Sequence, residues 1–164
     1  MRERITLDLI DRRIISALQE DGALSIADLA ERLGMTPPPC WRRVRRLKDA
    51  GVLTGQVWLV DPEAVGLEVT IYATVKLAGH DARATAAFRE EVKDHPEILE
   101  CYILLGSVDA LLKIIVPDVK YFEKFLYNKL SQMPGVRELH SSVILTEVKK
   151  TNRLPLECVT SEIR

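Results

Sequence analysis

The apolar period of this chain changes once, between Asp61 and Gly66, and that change rules out a single repeating layer. Before it, apolar side chains recur every three to four residues, as on a helix; after it, they alternate, as on a half-buried strand. In the first part, Leu9/Ile10, Ile14 and Ala17/Leu18 predict a helix with Asp8 as its N-cap, ended by Asp21-Gly22. Ser25, with Asp28 three residues on, predicts the start of a second helix whose stripe is Ile26, Leu29, Ala30 and Leu33. Gly34 ends it and Met35-Thr36 makes a turn. A third helix then begins at Pro37–Pro39, because proline is tolerated only in a helix's first turn. Two short helices joined by a tight glycine-containing turn form a helix-turn-helix. Val52–Leu53 and Gln56–Val60, on either side of Thr54-Gly55, predict a small hairpin or wing.

Beyond the break, Val69, Ile71, Ala73, Val75 and Leu77 alternate with Thr70, Tyr72, Thr74 and Lys76. A helix is expected from Ala82 to Lys93, then strands at Ile98–Leu105 and Ala110–Val116 joined by Gly106-Ser107-Val108-Asp109. A second helix is expected over Val119–Gln132 with Phe122, Phe125, Leu126 and Leu130 inward, and a last strand over Leu139–Val148. The order βαββαβ is the ferredoxin-like arrangement. Both helices cover one sheet face, and the other is left bare. An apolar bare face of that size is expected to pair with a second copy of the chain. The fold class is therefore α+β, with a winged helix-turn-helix over 1–60, a linker over 61–66, a ferredoxin-like domain over 67–150 and a tail over 151–164.

The 164 residues carry a net charge of −1, so no global basic excess points to a polyanion. Residues 1–60 hold ten basic and eight acidic side chains, and the rest hold thirteen and sixteen. The local concentration is what matters. From Arg42 to Lys48, five of seven residues are basic, and no acid occurs from Thr36 to Lys48. At 100° per residue, Cys40, Val44 and Leu47 share one face, with Arg42, Arg45 and Arg46 opposite. One side can dock into a core while the other offers guanidinium groups to phosphates or guanine edges. A merely solvated basic face is the plainer reading of the charge alone. The helix-turn-helix immediately upstream favours double-stranded DNA. No apolar run reaches the roughly 18 residues needed to span a bilayer, and no signal-like segment opens the chain. Three scattered cysteines, Cys40, Cys101 and Cys158, suit reduced thiols in the cytoplasm.

These features together resemble the Lrp/AsnC family of feast/famine transcription regulators, over about Leu7 to Leu156. Leu9-Ile-Asp-Arg-Arg-Ile-Ile15 is similar to the family's opening helix, and Thr36-Pro-Pro-Pro-Cys-Trp-Arg-Arg-Val-Arg-Arg-Leu47 to its recognition helix. Gly51-Val-Leu-Thr-Gly55 resembles the wing entry, and Gly106-Ser-Val-Asp109 with Leu111-Leu-Lys113 the G-x-x-D-x-x-L-K loop of the ligand-binding (RAM) half. The resemblance implies a cytoplasmic, sequence-specific DNA-binding regulator that is a dimer or a multiple of dimers, octamers among them. It also implies that activity or assembly answers to a small amino acid. Thr36, Pro38, Trp41, Arg42, Arg45 and Arg46 form the expected DNA-binding set. Tyr102, Leu104, Gly106, Ser107, Asp109, Ser131 and Val143 form the expected effector set, converging on the Gly106–Asp109 loop between subunits. Two departures stand out: Trp41, where many relatives carry a smaller residue, and Ser107, where an acid is frequent. Trp41 either touches DNA sugars and thymine methyls or packs beneath the wing. The string Pro-Cys-Trp-Arg-Arg and the ending Lys150–Leu156 resemble a branch that includes regulators of cysteine catabolism, so cysteine and other small neutral amino acids head the effector candidates.

The Gly106–Asp109 loop also has a purely structural reading, a hairpin turn in which glycine supplies positive φ and aspartate bonds back to the backbone. Other chemistry is not expected. His80, His95 and His140 are dispersed, so no metal site is expected, and no resident cofactor is implied. Ser25 and Ser107 have no neighbouring base, no G-x-S-x-G elbow is present, and Gly79 and Gly106 build no phosphate cradle. Two readings remain beside the regulator: a ligand-independent architectural DNA-binding protein, and an enzyme built on the ferredoxin-like half, a fold that hosts unrelated activities.

Overall fold

The computed structural model describes residues 5–78 and 82–158. His80, Gly79 and the last six residues of the tail lie outside the described residues. The chain divides into two compact units. One comprises the described residues up to Trp58 together with those from Lys149 onward, and the other runs from Leu59 to Val148. No helix among the described residues is long and apolar enough to cross a membrane.

In the first unit, caps and apolar stripes coincide. Asp8 opens α1 (Leu9–Glu20): the Asp11 N–H donates to Asp8 Oδ1 at 2.8 Å, and the Asp8 N–H donates to Asp11 Oδ2 at 3.1 Å. Ser25 and Asp28 repeat this reciprocal device on α2 (Ile26–Arg32), at 3.1 and 3.3 Å. Each satisfies N–H groups that the helix itself cannot, and is worth about 1 kcal/mol. Gly34 has φ of 65°, a left-handed conformation that allows the Met35 N–H to reach the Ala30 carbonyl at 2.9 Å and close the turn into α3 (Pro37–Asp49). Ile14, Ile15, Leu29, Ala30, Cys40, Val44 and Leu47 make the core. The buried stripe of α1 is rotated from the expected one. Leu9 and Ile10 are exposed, whereas Asp11 is fully buried beside Ile14 and Ile15.

The expected hairpin is not formed. Residues 54–60 carry no regular secondary structure, and Val57, Trp58, Leu59 and Val60 are exposed. So short a two-stranded ribbon does not sustain itself without something to pack on. After Val148 the chain returns to the first unit. The Leu154 N–H donates to Gln19 Oε1 at 2.7 Å, Arg153 reaches Glu20 at 2.8 Å and Ser16 at 2.9 Å, and Leu156 joins the core.

The second unit is a four-stranded antiparallel sheet in the order β2-β3-β1-β4: β1 (Val69–Leu77), β2 (Ile98–Ile103), β3 (Ala110–Val116) and β4 (Val136–Val143). Ile71 pairs with Ile114 and Val143, and Val75 with Ala110 and Leu139, so equal phase on the three strands places their apolar positions on one face. The helices α4 (Ala82–Lys93) and α5 (Val119–Asn128) cover it. Phe88, Val92, Phe122 and Phe125 close over Ile71, Ala73, Val75, Leu112 and Ile114. At about 1.5–3 kcal/mol per buried large side chain, this interdigitation is the main support of the unit. Three elements differ in their bounds from expectation, and the first is β2, which ends at Ile103 rather than Leu105. α5 ends at Asn128, and Leu130–Gln132 is a separate 3₁₀ turn. β4 begins and ends earlier, because Gly135 (φ of 76°) lets the chain enter the ladder at Val136, while Leu145 and Val148 are exposed beyond it.

The open face of the sheet is mixed rather than apolar. Glu100 accepts from Lys113 at 3.0 Å and from the Tyr102 hydroxyl at 2.9 Å, and Lys76 pairs with Glu138 at 3.1 Å. Lys113 and Tyr102 hold the Glu100 carboxyl below the usual range, and Lys76 and Arg137 do the same for Glu138. Tyr72 and Leu111 lie among these charges.

Candidate nucleic-acid interface and effector loop

The side chains of α3 divide three ways. Cys40, Val44 and Leu47 are buried, and burial alone pushes the Cys40 thiol pKa up, which suits a packed thiol. Arg43 and Arg46 turn toward α1. Arg43 Nη1 lies 2.7 Å from Asp8 and 2.9 Å from the buried Asp11, and Arg46 also pairs with Asp11. Trp41, Arg42, Arg45 and Lys48 face solvent with Pro37 and Pro38. Arg45 stands over the Trp41 ring, 5.2 Å from its centroid, and lies 3.8 Å from Asp49. Arg42 has no ion-pair partner among the described residues.

This division alters the expected set in two respects. Arg46 is shared with Asp11, so only part of its hydrogen-bonding capacity is open to a phosphate. The tip of α3 carries no N–H donors in its first turn, because Pro37, Pro38 and Pro39 have none, and the Cys40 N–H is directed to the Thr36 carbonyl at 3.5 Å. Backbone N–H groups at a helix N-terminus, which elsewhere hold a phosphate, are thus missing from this tip. Thr36 occupies the N-cap but its hydroxyl accepts no cap bond, since prolines leave no N–H there to donate one. Its exposed hydroxyl stays available to an outside partner. Trp41 is 48% exposed and belongs to neither core.

Sequence reasoning passed over Asp11 and Arg43. A signal existed: Asp11, Ile14, Ile15 and Leu18 recur at helical spacing, so an acid stood within the apolar stripe. A carboxylate at 0% exposure needs cationic partners, and the basic helix supplies two.

In the loop after β2, Asp109 is braced at three points. Its Oδ2 accepts the Leu77 N–H at 2.8 Å, its own N–H donates to the Val75 carbonyl at 2.9 Å, and its carbonyl accepts from the Leu104 N–H at 2.9 Å. The Asp109 side chain therefore ties the loop to the end of β1, while its carbonyl closes the turn itself. Gly106 is not in the positive-φ region, and an added Cβ there meets nothing within 4 Å, so neither backbone strain nor crowding within the chain demands glycine. Gly106, Ser107 and Leu104 are exposed. Tyr102 stands next to the loop on β2, on the open sheet face. Ser131, whose hydroxyl donates to the Tyr127 carbonyl at 3.1 Å, precedes the Pro134-Gly135 turn that brings Val136 opposite Leu77, at the loop's end of the sheet. Val143 pairs with Ile71, six residues back along β1 from Leu77, which is about 20 Å at strand rise. Within one protomer Val143 does not join the loop.

Two family models match. The Lrp/AsnC ligand-binding domain covers residues 70–154, and a winged helix-turn-helix DNA-binding model covers residues 7–54. The chain belongs to the Lrp/AsnC family. Over 151 residues it is 36% identical to the DNA-binding transcriptional activator DecR of Escherichia coli (strain K12), covering 92% of this chain and 99% of the relative. The leucine-responsive regulatory protein of the same strain is also 36% identical, with 92% of each chain covered. A solved transcriptional regulator of Neisseria meningitidis, in complex with L-methionine, is 36% identical, with a TM-score of 0.89 over 92% of this chain and 97% of that one. As an Lrp/AsnC member, the chain carries α1–α3 in its DNA-binding part and the braced loop in its ligand-binding part.

Proposed function

We propose that the chain is a sequence-specific transcription regulator of the cytoplasm that binds double-stranded DNA as a homo-oligomer and answers to a small amino acid. The observation that carries this reading is the outward face of α3. Arg42, Arg45 and Lys48 stand clear on the second helix of a helix-turn-helix, while Arg43 is retained by Asp8 and Asp11. Thr36, Pro38, Trp41, Arg42 and Arg45 meet the DNA directly, and Arg46 contributes from the edge. Self-association is supported by the run of exposed apolar side chains Val57–Val60, and by Tyr72 and Leu111 on the open sheet face. The assembly is a dimer or a multiple of dimers.

The effector site lies at the Gly106–Asp109 loop between subunits, with Leu104, Ser107 and Tyr102 from one protomer, Ser131 near by, and Val143 supplied by a neighbour. The exposed backbone at Gly106 suits a carboxylate, and an ammonium meets the second carboxylate oxygen of Asp109. The methionine-bound relative supports a neutral amino acid as the ligand class. The test is DNA binding and light scattering with and without cysteine, methionine and leucine at millimolar concentration. A change in affinity or assembly with one of them is expected. DNA binding indifferent to all three favours the architectural protein instead.

A further inference from the structure

We infer that the tip of α3 is a thymine-reading surface, in which Ile26, Pro37, Pro38 and Trp41 receive the C5-methyl of a thymine in the major groove while Arg42 fixes the register beside it. This inference rests on the assignment of α3 as the DNA-reading helix. Ile26 from the start of α2 joins Pro37, Pro38, Trp41 and Arg42 around a shallow depression of about 410 Å³ whose walls are apolar except for the Arg42 head. In a docked helix-turn-helix, the N-terminal residues of the second helix are those that meet base edges. Here those residues are three prolines, a buried cysteine and a tryptophan, with no backbone N–H in the first turn and, apart from the buried Cys40 thiol, only the Trp41 indole N–H as a side-chain donor between Thr36 and Arg42. Between Thr36 and Arg42 such a tip offers the indole N–H as a donor and no side-chain oxygen as an acceptor, so it cannot make the paired bonds that distinguish guanine or adenine. The one base-edge feature in the major groove that an apolar surface recognises is the thymine methyl.

Two further observations fit DNA rather than another occupant. Arg42 stands in the wall of the depression, Arg45 and Lys48 are exposed further along α3, and no acid occurs between Thr36 and Lys48. A duplex supplies both apolar methyls and anionic phosphates, whereas an apolar protein partner would leave Arg42 without counter-charge. The Trp41 ring is also held at the surface: Arg45 lies over one face at 5.2 Å. The ring thus serves the depression with one edge and steadies a phosphate-binding guanidinium with its face.

The probe is a duplex selected by the full-length protein from a random pool, with each thymine replaced in turn by deoxyuridine, which removes only the C5-methyl. Wild type is expected to lose about threefold to tenfold in affinity at one or two thymines per half-site, the value of burying one methyl in a close-fitting apolar site. Trp41→Ala should bind the thymine and deoxyuridine duplexes equally at those positions, with its melting temperature close to wild type because the ring is half exposed. Trp41→Leu, which keeps an apolar wall, should retain part of the discrimination. Arg42→Ala should weaken binding to both duplexes by the same factor. Indifference of wild type to deoxyuridine at every position overturns the inference, as does discrimination that survives in Trp41→Ala. In either case, a loss of affinity in Arg42→Ala shows that α3 still reads DNA. A selected duplex bound equally well by wild type and by Arg42→Ala, Arg45→Ala and Trp41→Ala overturns both the inference and the assignment beneath it.

Discussion

Asp11 is fully buried, and its carboxylate is held 2.9 Å from the guanidinium of Arg43, a residue 32 positions away on α3, the helix proposed to read DNA. Arg46 shares the same carboxylate. The pair ties α1 to α3 and so sets which side of α3 faces outward. Its energetics are asymmetric. Removing the acid leaves two arginines that are partly exposed and rehydrate, whereas removing both arginines leaves a buried unpaired carboxylate. Asp11→Ala should therefore destabilise by about 1–3 kcal/mol, and Arg43→Ala/Arg46→Ala by about 3–5 kcal/mol. Adding Asp11→Asn to the double variant should recover part of the loss. Denaturant titration of the three proteins checks the order, and equal losses would show that burial of the charge is not the controlling term.

Asp109→Ala should lower stability by about 1–3 kcal/mol, because the Leu77 N–H loses its acceptor. Asp109→Asn separates the two roles of the side chain: its amide oxygen still accepts from Leu77, but it carries no charge for an ammonium. The Asn variant should melt near wild type and bind its amino acid about tenfold or more weakly. Calorimetric titration beside a melting curve reads both, and unchanged affinity in Asp109→Asn would make the aspartate structural only.

The parts that were legible in the sequence are those fixed by neighbours in the chain. The Asp8 and Ser25 caps, the Gly34 turn, the proline start of α3 and the alternation of β1 each depend on residues within about four positions, and each stands where the pattern placed it. What was not legible depends on distant partners. Asp11 reads as a surface acid until Arg43 is known to reach it. The segment 52–60 satisfied the turn rules, yet among the described residues 54–60 take up no strand pairing, and Gln56 bonds instead to the Gly22 carbonyl. Leu145 and Val148 continue an alternation that the ladder does not use, because the register of β4 is set by Gly135 and not by the apolar pattern. The candidate site followed the same rule: Arg42 and Arg45 were visible from helical phase alone, while the shared role of Arg46 was not.

The return of the chain to the first unit makes residues 149–158 part of the DNA-binding fold. Leu156→Ala should destabilise that unit by about 1–3 kcal/mol, and a stop after Val148 should cost more, through the added loss of the Gln19 and Glu20 contacts. Differential scanning calorimetry of the full chain and the truncation should show a lowered transition for the first unit, with that of the sheet unit unmoved. A truncation with both transitions unchanged would show that the segment merely rests on α1.

The Asp8 carboxyl is held below its usual range, first by the Asp11 N–H and then by Arg43. A lowered folded pKa contributes stability that is complete above the unfolded value, about 3.9, and is lost as pH falls through the folded value. Asp8→Asn keeps the cap and removes the titration. The stability gap between wild type and this variant should thus be widest near neutrality and narrow below about pH 4. A gap constant from pH 7 to pH 3 would show that the charge contributes nothing.

In the proposed reading, the exposed side of α3 neutralises DNA phosphates. The measurement is the slope of log affinity against log salt concentration for wild type and for Arg42→Ala/Arg45→Ala on one duplex. Loss of two phosphate contacts should flatten the slope by roughly two, with the fold intact because neither side chain enters the core. A slope and affinity identical to wild type would contradict the assignment of α3 as the DNA-reading helix.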